Sequence, residues 1–318
     1  MQKFEKIILV TGGAGFIGSN FLNYAVPKYP RYRFVNVDAL TYAADLGNIE
    51  VGNAANYVFE HADIRESEAM ERVFKAHAPT DVIHFAAESH VDNSIAGPRV
   101  FVETNVLGTE ILLEFARAYA LKRFHYISTD EVYGSLALGA RSSREDDTLK
   151  PNSPYSASKV GGEMLVRAYH ETFGVNTVVT RGSNNYGPHQ HKEKFIPLFI
   201  ARFTANEKAP LYGTGKNIRN WIYVLDHVEG IDAAFHKGKT GETYNLGGNT
   251  EMENIVLART LAHELGVSEG LIEPVTDRLG HDLRYSLDSS KTKKELGWEP
   301  RTGFEEGLAK TIEFYKRS

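Results

Sequence analysis

A short apolar run, Lys6-Ile7-Ile8-Leu9-Val10, passes directly into Thr11-Gly12-Gly13-Ala14-Gly15-Phe16-Ile17-Gly18, and no other junction constrains the fold as much. The run predicts a buried strand. Glycines at 13, 15 and 18 leave room for a tight turn, a close backbone approach to a ligand, and a helix packed hard on its strand. Amides exposed at the start of that helix would bind phosphate. A second run, Arg33-Phe34-Val35-Asn36-Val37, ends in Asp38, 20 residues beyond Gly18. An acid there is placed to bond the adenosine ribose hydroxyls of a dinucleotide. It would repel a 2′-phosphate, and Ala39-Leu40-Thr41 offers no arginine to receive one, so the pattern favours NAD over NADP.

Further apolar runs follow at Tyr57-Val58-Phe59, Val82 to Ala87, Phe124 to Ser128 and Val175 to Thr180, with helical stretches between them. This rhythm predicts an α/β fold with a parallel, doubly wound sheet. The 318 residues can bury a substantial core, as one large domain or two smaller units. A net charge of −5 gives no nucleic-acid footprint. With no cysteine in the chain, disulfides, thiolate metal sites and a cysteine nucleophile are excluded. No signal-peptide core follows Met1, and no apolar stretch approaches the ~20 residues that span a bilayer, so a soluble cytoplasmic protein is expected. There is no internal repeat.

Ser128-Thr129-Asp130-Glu131-Val132-Tyr133-Gly134 places two adjacent carboxylates at the end of a strand, upstream of Tyr155 and Lys159. Hydride transfer alone has no use for such a pair. An acid and a base beside a redox centre suggest oxidation coupled to the loss or movement of a group. Ser153 and Pro154 predict a helix start, which sets Tyr155 and Lys159 on one helical face. The Tyr-x-x-x-Lys spacing itself selects nothing, since Tyr24 with Lys28 and Tyr212 with Lys216 share it. The first of those pairs encloses Pro27 and the second Gly213 and Gly215, so neither is expected inside a helix. Glu145-Asp146-Asp147 is expected to be an ordinary solvated acidic run. His189 and His191 lack the carboxylate or cysteine pattern of a metal site, and no metal is expected.

These residues, in order along almost the whole chain, resemble the extended short-chain dehydrogenase/reductase family, and within it the dTDP-glucose 4,6-dehydratases. The segments that carry the resemblance are Gly12 to Ser19, Asp38 to Tyr42, Ala62-Asp63-Ile64, Ala86 to Asp92, Thr129 to Gly134, Tyr155 to Lys159, Ser183 to Pro188, Glu193-Lys194, and Asp277-Arg278 with Gly280-His281-Asp282. The resemblance implies a Rossmann-type sheet with a smaller α/β substrate-binding domain, NAD as a regenerated cofactor, and dTDP-glucose as substrate. The expected boundaries are residues 1–182 plus about 217–247 for the NAD domain, and about 183–216 plus 248–318 for the sugar-nucleotide domain. Homodimers pairing two long helices per subunit, near Val100 to Tyr119 and Tyr155 to Phe173, are also implied.

By the same resemblance Tyr155 would take the sugar 4-hydroxyl proton as C4 gives hydride to NAD⁺, its phenolate favoured by Lys159 and the nicotinamide charge. Thr129 would bond the same oxygen. Glu131 would remove the C5 proton as base and Asp130 protonate the departing 6-hydroxyl as acid, leading to a 4-keto-6-deoxy sugar of the kind that feeds rhamnose and other deoxysugars. Gly12, Gly13, Gly15, Phe16, Ile17, Gly18, Asp38, Leu40, Thr41, Asp63, Ile64, Phe85, Ala86, Ala87, Ser89, Thr104 and Asn185 would join Tyr155 and Lys159 around NAD. Arg219 and Arg278 would hold the substrate diphosphate. Ser89, Thr129, Asn184, Lys194, Phe195, Pro210, Leu211, Tyr212, Asn254 and His281 would complete the sugar-nucleotide pocket. The chain departs from the family's usual residues at Gly182 (cysteine), Asn220 (aspartate), Leu225 (glutamate), Leu279 (proline) and Leu283 (arginine). Thymine and uracil nucleotides both stay open. A sugar-nucleotide 4-epimerase shares the cofactor fold, Tyr155 and Lys159 but has no use for the carboxylate pair, and a silent NAD-binding regulator would not need Thr129, Tyr155 and Lys159 together.

Overall fold

The computed structural model describes residues 3–317. Its strands in chain order are β1 (Lys6–Thr11), β2 (Tyr32–Asp38), β3 (Tyr57–His61), β4 (Asp81–His84), β5 (Arg123–Thr129), β6 (Thr177–Gly182), β7 (Asn184–Tyr186), β8 (Ala209–Tyr212), β9 (Ile218–Tyr223), β10 (Thr243–Leu246), β11 (Thr250–Glu253) and β12 (Ile272–Val275). Seven of them make one wholly parallel sheet in the order β10-β6-β5-β4-β1-β2-β3. The chain runs outward from β1 to β3, then restarts at β4 on the other side. Between β1 and β4 the connections part, and a crevice opens at the carboxyl ends of the strands.

Both faces of a parallel sheet must be covered, which is why its strands are apolar on both sides. Helices Ser67–His77, Gly108–Ala118 and Pro154–Phe173 bury Phe74, Leu112, Val166 and their neighbours against one face. Helices Phe16–Lys28 and Val224–Lys237 bury Phe21, Val228 and Ile231 against the other. Each large side chain sealed in this way contributes about 1.5–3 kcal/mol. The helix over Pro154–Phe173 begins as the sequence predicts. Ser153 accepts from the Ser156 amide at 3.0 Å, Ser156 returns the bond to the Ser153 amide, and Gly174 ends the helix at φ +69°.

A second core holds Phe199, Phe203, Leu211, Trp221, Leu257, Leu261, Phe304 and Leu308, around the sheet β11-β9-β7 and the pair β12-β8. β9 pairs with β7 and β11, so the return to the large sheet begins at Val224. Residues beyond 248 are not confined to the second core either: Leu296 and Trp298 pack with the large sheet, and the Trp298 indole donates to Asp226 O at 3.0 Å. Asn220 explains its departure from aspartate. Its amide donates to Gly248 O at 2.9 Å and accepts from Gly248 N at 2.8 Å, an exchange no carboxylate can make.

Two local expectations are corrected. Tyr24 and Lys28 do lie on a helix, with Pro27 next to its last residue, and Lys28 bonds both the Tyr24 hydroxyl and Asp232. Glu145 is not simply solvated: it accepts from the Asn245 amide at 2.9 Å. Among the described residues no helix is long and apolar enough to cross a membrane.

Candidate active site

The crevice begins at the glycine turn. Gly12 takes φ +71°, and a Cβ there would sit 2.5 Å from the Ala86 amide nitrogen, so the turn packs directly on the backbone that follows β4. A Cβ on Gly18 would lie 2.3 Å from Gly12 O, which is how the helix approaches its strand. That helix is capped by Gly15, which has no side chain to occupy the first amides, and they stay available to a phosphate. Asp38 is buried at the end of β2 and accepts from the Ala14 and Leu40 amides at 2.9 and 2.8 Å. A carboxylate offers about four acceptor sites, so two remain for ribose hydroxyls. Burial raises its proton affinity, against those amide bonds.

Gly12, Gly15, Phe16, Ile17, Gly18, Asp38, Thr41, Asp63, Ile64, Phe85, Ala86, Ala87, Ser89, Thr104, Asn184, Asn185 and Lys194 all line one cleft, together with Thr129, Asp130, Glu131, Tyr155 and Lys159. Thr104 is delivered by a π-helical segment, Glu103–Leu107, whose Asn105 exchanges bonds with the Glu88 backbone at 2.9 and 3.0 Å and donates to Ser158 Oγ at 2.8 Å. Such bulges aim a side chain that a regular helix would turn away. Gly13 is not on the cleft wall; its Cα packs against Asn36 and Leu22. Leu40 also lies off it, with its side chain turned outward at φ +52°.

At the reacting end β5 runs into a short helical turn, Asp130–Tyr133, with Thr129 accepting from the Glu131 amide at 3.3 Å. Gly134 closes the turn at φ +75°, where a Cβ would meet Lys150 O at 2.1 Å. Asp130 is buried, and its carboxyl is pushed well above the usual range by desolvation, then by the Glu131 charge; Arg219 and the Thr129 hydroxyl oppose this. Burial also raises Glu131, but Arg219, Lys194 and Arg278 all favour its anion. Both carboxyls are thus raised, while three cations gather about Glu131, surroundings suited to an acid beside a base.

Tyr155 lines the same cleft. Desolvation and the charges of Glu131 and Asp130 push its phenol up, with only Thr129 pulling the other way. The Lys159 ammonium donates to Ile127 O at 2.7 Å and lies 4.1 Å from the Tyr126 ring centroid. Burial lowers the Lys159 ammonium to about 7, against the Glu163 charge. In the unfolded chain this amine keeps its proton to about 10.4. Between those values the unfolded state binds more protons, so stability should rise with pH from about 7 to 10.4. Thermal melts of the cofactor-free chain should show wild type gaining on Lys159→Met across that interval; parallel curves would mean that the ammonium is not desolvated.

Seven buried polar atoms without a partner belong to residues that line this one cleft: Ser128 Oγ, Asp130 Oδ2, Asn184 Oδ1, Asn185 Oδ1, Gln190 Oε1 and both ring nitrogens of His227. Native proteins pair such atoms, so this concentration marks a site shaped for a polar ligand. Together with the cleared glycine turn and Asp38, the residues fit a dinucleotide.

The substrate half is assembled less completely. Tyr212, Arg278 and His281 come together around Asp92: the guanidinium meets Asp92 at 2.6 Å, the Tyr212 hydroxyl at 3.2 Å, and His281 packs edge-on to Tyr212. His281 is itself held by Asp277 at 2.7 Å. Arg219 is buried over the Tyr285 ring and donates to Ile218 O and Asp282 O, so its charge reaches the carboxylate pair while two of its donors are spent within the protein. Lys194 donates to Ser89 O at 3.2 Å. Leu211 is 2% exposed in the second core, and Phe195 stacks on Phe199 with ring centroids 4.2 Å apart. Neither lines the cleft, nor do Pro210, Tyr212, Arg219, Arg278, His281 and Asn254, the last at a helix start with its amide on Asn217 O. Leu279 and Leu283 are exposed beside this cluster.

Sequence reasoning missed Tyr42, Arg65, Gln190, His191 and His227 on the cleft wall. Arg65, which chelates Asp63 at 2.6–3.0 Å, was readable from its place beside Asp63-Ile64. His227 carried no local signal. His191 meets Glu193 at 3.5 Å and the edge of Tyr42. Among the described residues no group of three or more His, Asp or Glu is arranged to hold a metal ion.

A family model described as GDP-mannose 4,6 dehydratase matches residues 9–311. The dTDP-glucose 4,6-dehydratase of Escherichia coli is 47% identical, over 97% of this chain and 93% of its own. The dTDP-glucose 4,6-dehydratase of Streptomyces venezuelae, solved with NAD and TYD bound, superposes with a TM-score of 0.94 at 45% identity, covering 98% of this chain and 97% of that one. A UDP-glucose 4-epimerase of Thermotoga maritima, solved with UDP-glucose, reaches a TM-score of 0.90 at 32% identity over 98% and 99% of the two chains. The fold is common to both activities, and sequence identity is higher with the dehydratases. The chain belongs to the GDP-mannose 4,6 dehydratase family, within the extended short-chain dehydrogenase/reductases.

Proposed function

We propose that this protein is an NAD-dependent dTDP-glucose 4,6-dehydratase, a hydro-lyase that converts dTDP-D-glucose to dTDP-4-keto-6-deoxy-D-glucose and water. The observation that carries this reading is the pair Asp130 and Glu131 on the same cleft wall as Tyr155. Bound NAD⁺ supplies the acceptor for the C4 hydride, the same hydride for C6 afterwards, and a positive charge beside the phenol. Tyr155 takes the 4-hydroxyl proton, and that charge favours its phenolate. Thr129 orients the oxygen. Glu131 removes the C5 proton, which the C4 ketone has made acidic, while Asp130 gives its proton to the departing C6 hydroxyl and water leaves. A proton then returns to C5.

Asp38, the glycine turn and the amides of Phe16 and Ile17 would hold the nucleotide half of NAD, and Asp63, Ile64, Ala86, Ala87, Thr104 and Asn185 its flanks. Arg278, with Tyr212 and His281, would exchange Asp92 for the substrate diphosphate. Two lobes dividing at Val224 would frame the cleft. Val102 and Leu107 on one long helix, and Met164 and Phe173 on another, are 40–52% exposed. This apolar face suits a second copy of the chain, as a homodimer in the cytoplasm.

Mass spectrometry of dTDP-glucose and UDP-glucose after incubation with the protein and NAD⁺ tests the reading. Loss of one water from the thymidine nucleotide is expected. Loss from the uridine nucleotide alone would reassign the substrate; unchanged mass with inversion at C4 would make the chain an epimerase, and no change at all would favour a binding role.

A further inference from the structure

Two of the seven unpartnered atoms of the cleft belong to a single ring. His227 lies on helix Val224–Lys237 and is 1% exposed, yet neither of its nitrogens has a partner. The ring fills space that residue 182 leaves free: a Cβ on Gly182 would fall 2.5 Å from Nε2 and 2.7 Å from Cε1. Any other residue at 182 would displace it.

Its place along the cleft follows from the sheet. Gly182 ends β6 and pairs in register with Thr129, next to Asp130 and Glu131, whereas Asp63 and Ile64 follow β3 at the opposite edge. His227 therefore borders the reacting end. Its depth follows from the layers. It is carried by the helix that packs beside Phe16–Lys28, the helix of the phosphate turn, while Tyr155 and Lys159 come from the layer across the sheet. The ring therefore stands at the reacting end of the cleft, on the side of the sheet that carries the glycine turn. Burial holds the imidazole neutral, with its proton affinity pushed down to about 3. A neutral imidazole offers one donor and one acceptor, and a primary carboxamide offers the same two functions in return. The nearby His125 is already bonded to Thr180 at 3.1 Å through Nε2.

Resting on the NAD reading above, we propose that His227 binds the carboxamide of the nicotinamide ring and so sets the ring's orientation for hydride transfer. Gly182 is the residue that makes the contact possible.

Calorimetry on the full chain freed of nucleotide tests this with three probes: NAD⁺, its pyridine analogue lacking the carboxamide, and ADP-ribose. His227→Phe should weaken NAD⁺ binding roughly fivefold to tenfold, the size of one neutral hydrogen bond, and leave the other two probes unchanged. His227→Asn, which keeps a donor and an acceptor, should recover part of the loss, and it serves in place of the Phe variant if that fails to fold. Equal weakening of all three probes would make His227 merely structural, and no weakening at all would remove the contact; either result overturns the proposal. If wild type binds ADP-ribose and NAD⁺ equally poorly, the cofactor reading itself is wrong.

Discussion

Tyr155→Phe is expected to lower turnover by about two to four orders of magnitude and to leave the cofactor oxidised when substrate is added. The variant removes one oxygen and little else. The ring packs edge-on to Phe101 with centroids 6.4 Å apart, and that contact survives the change. What is lost is the only proton acceptor among the proposed groups that can meet the sugar 4-hydroxyl as hydride leaves C4. Burial and two carboxylates push the phenol up, so its basic form is scarce and strongly basic. Oxidation in the wild type should accordingly quicken as pH rises, and this dependence should vanish in the variant. Stopped-flow absorbance of the reduced nicotinamide, paired with a thermal melt, separates the two effects. Reduction at the wild-type rate in a folded Tyr155→Phe protein would remove this residue from the mechanism.

Glu131→Gln should fail at a later point. Cofactor reduction proceeds because Tyr155 is intact, and it should ease slightly, since the largest charge opposing the phenolate has gone. Elimination should slow by about two to four orders of magnitude, because the amide cannot take the C5 proton. Reduced nicotinamide then accumulates on the protein, and deuterium from heavy water fails to enter C5. The substitution also reaches Asp130. That carboxyl loses the neighbouring charge which helps to raise it, although desolvation, the larger cause, remains. Its proton affinity therefore stays raised. Wild-type dehydration in this variant would assign the base elsewhere in the cleft.

The parts of the site that were legible in the sequence are those in which a few consecutive residues do the work. The turn from Gly12 to Gly18, Asp38 after its strand, and Thr129-Asp130-Glu131 at the end of β5 each obey a local rule, and the structure brings them to one cleft. The substrate half obeys no such rule. Arg278 finds Asp92, 186 residues away, and Arg219 is drawn onto Tyr285 and Asp282. Phe195 and Leu211 resemble pocket residues by position, but they are large apolar side chains with a second core beside them, and burial there is the stronger pull.

By itself the sequence determined the parallel sheet and the glycine turn and supplied the candidate reactive groups, because strand periodicity, glycine conformation and functional-group chemistry are properties of neighbouring residues. Tertiary structure alone decided how those groups behave. Asp130 and Glu131 are adjacent carboxylates, both raised by burial, and the cations that oppose this on Glu131, Arg219, Lys194 and Arg278, arrive from other segments. Lys159 bonds the Ile127 carbonyl, and His227 enters the cleft through the space left at Gly182. Proton affinity and hydrogen-bond choice depend on desolvation and on charges a few ångströms away, and those distances exist only once the chain has folded.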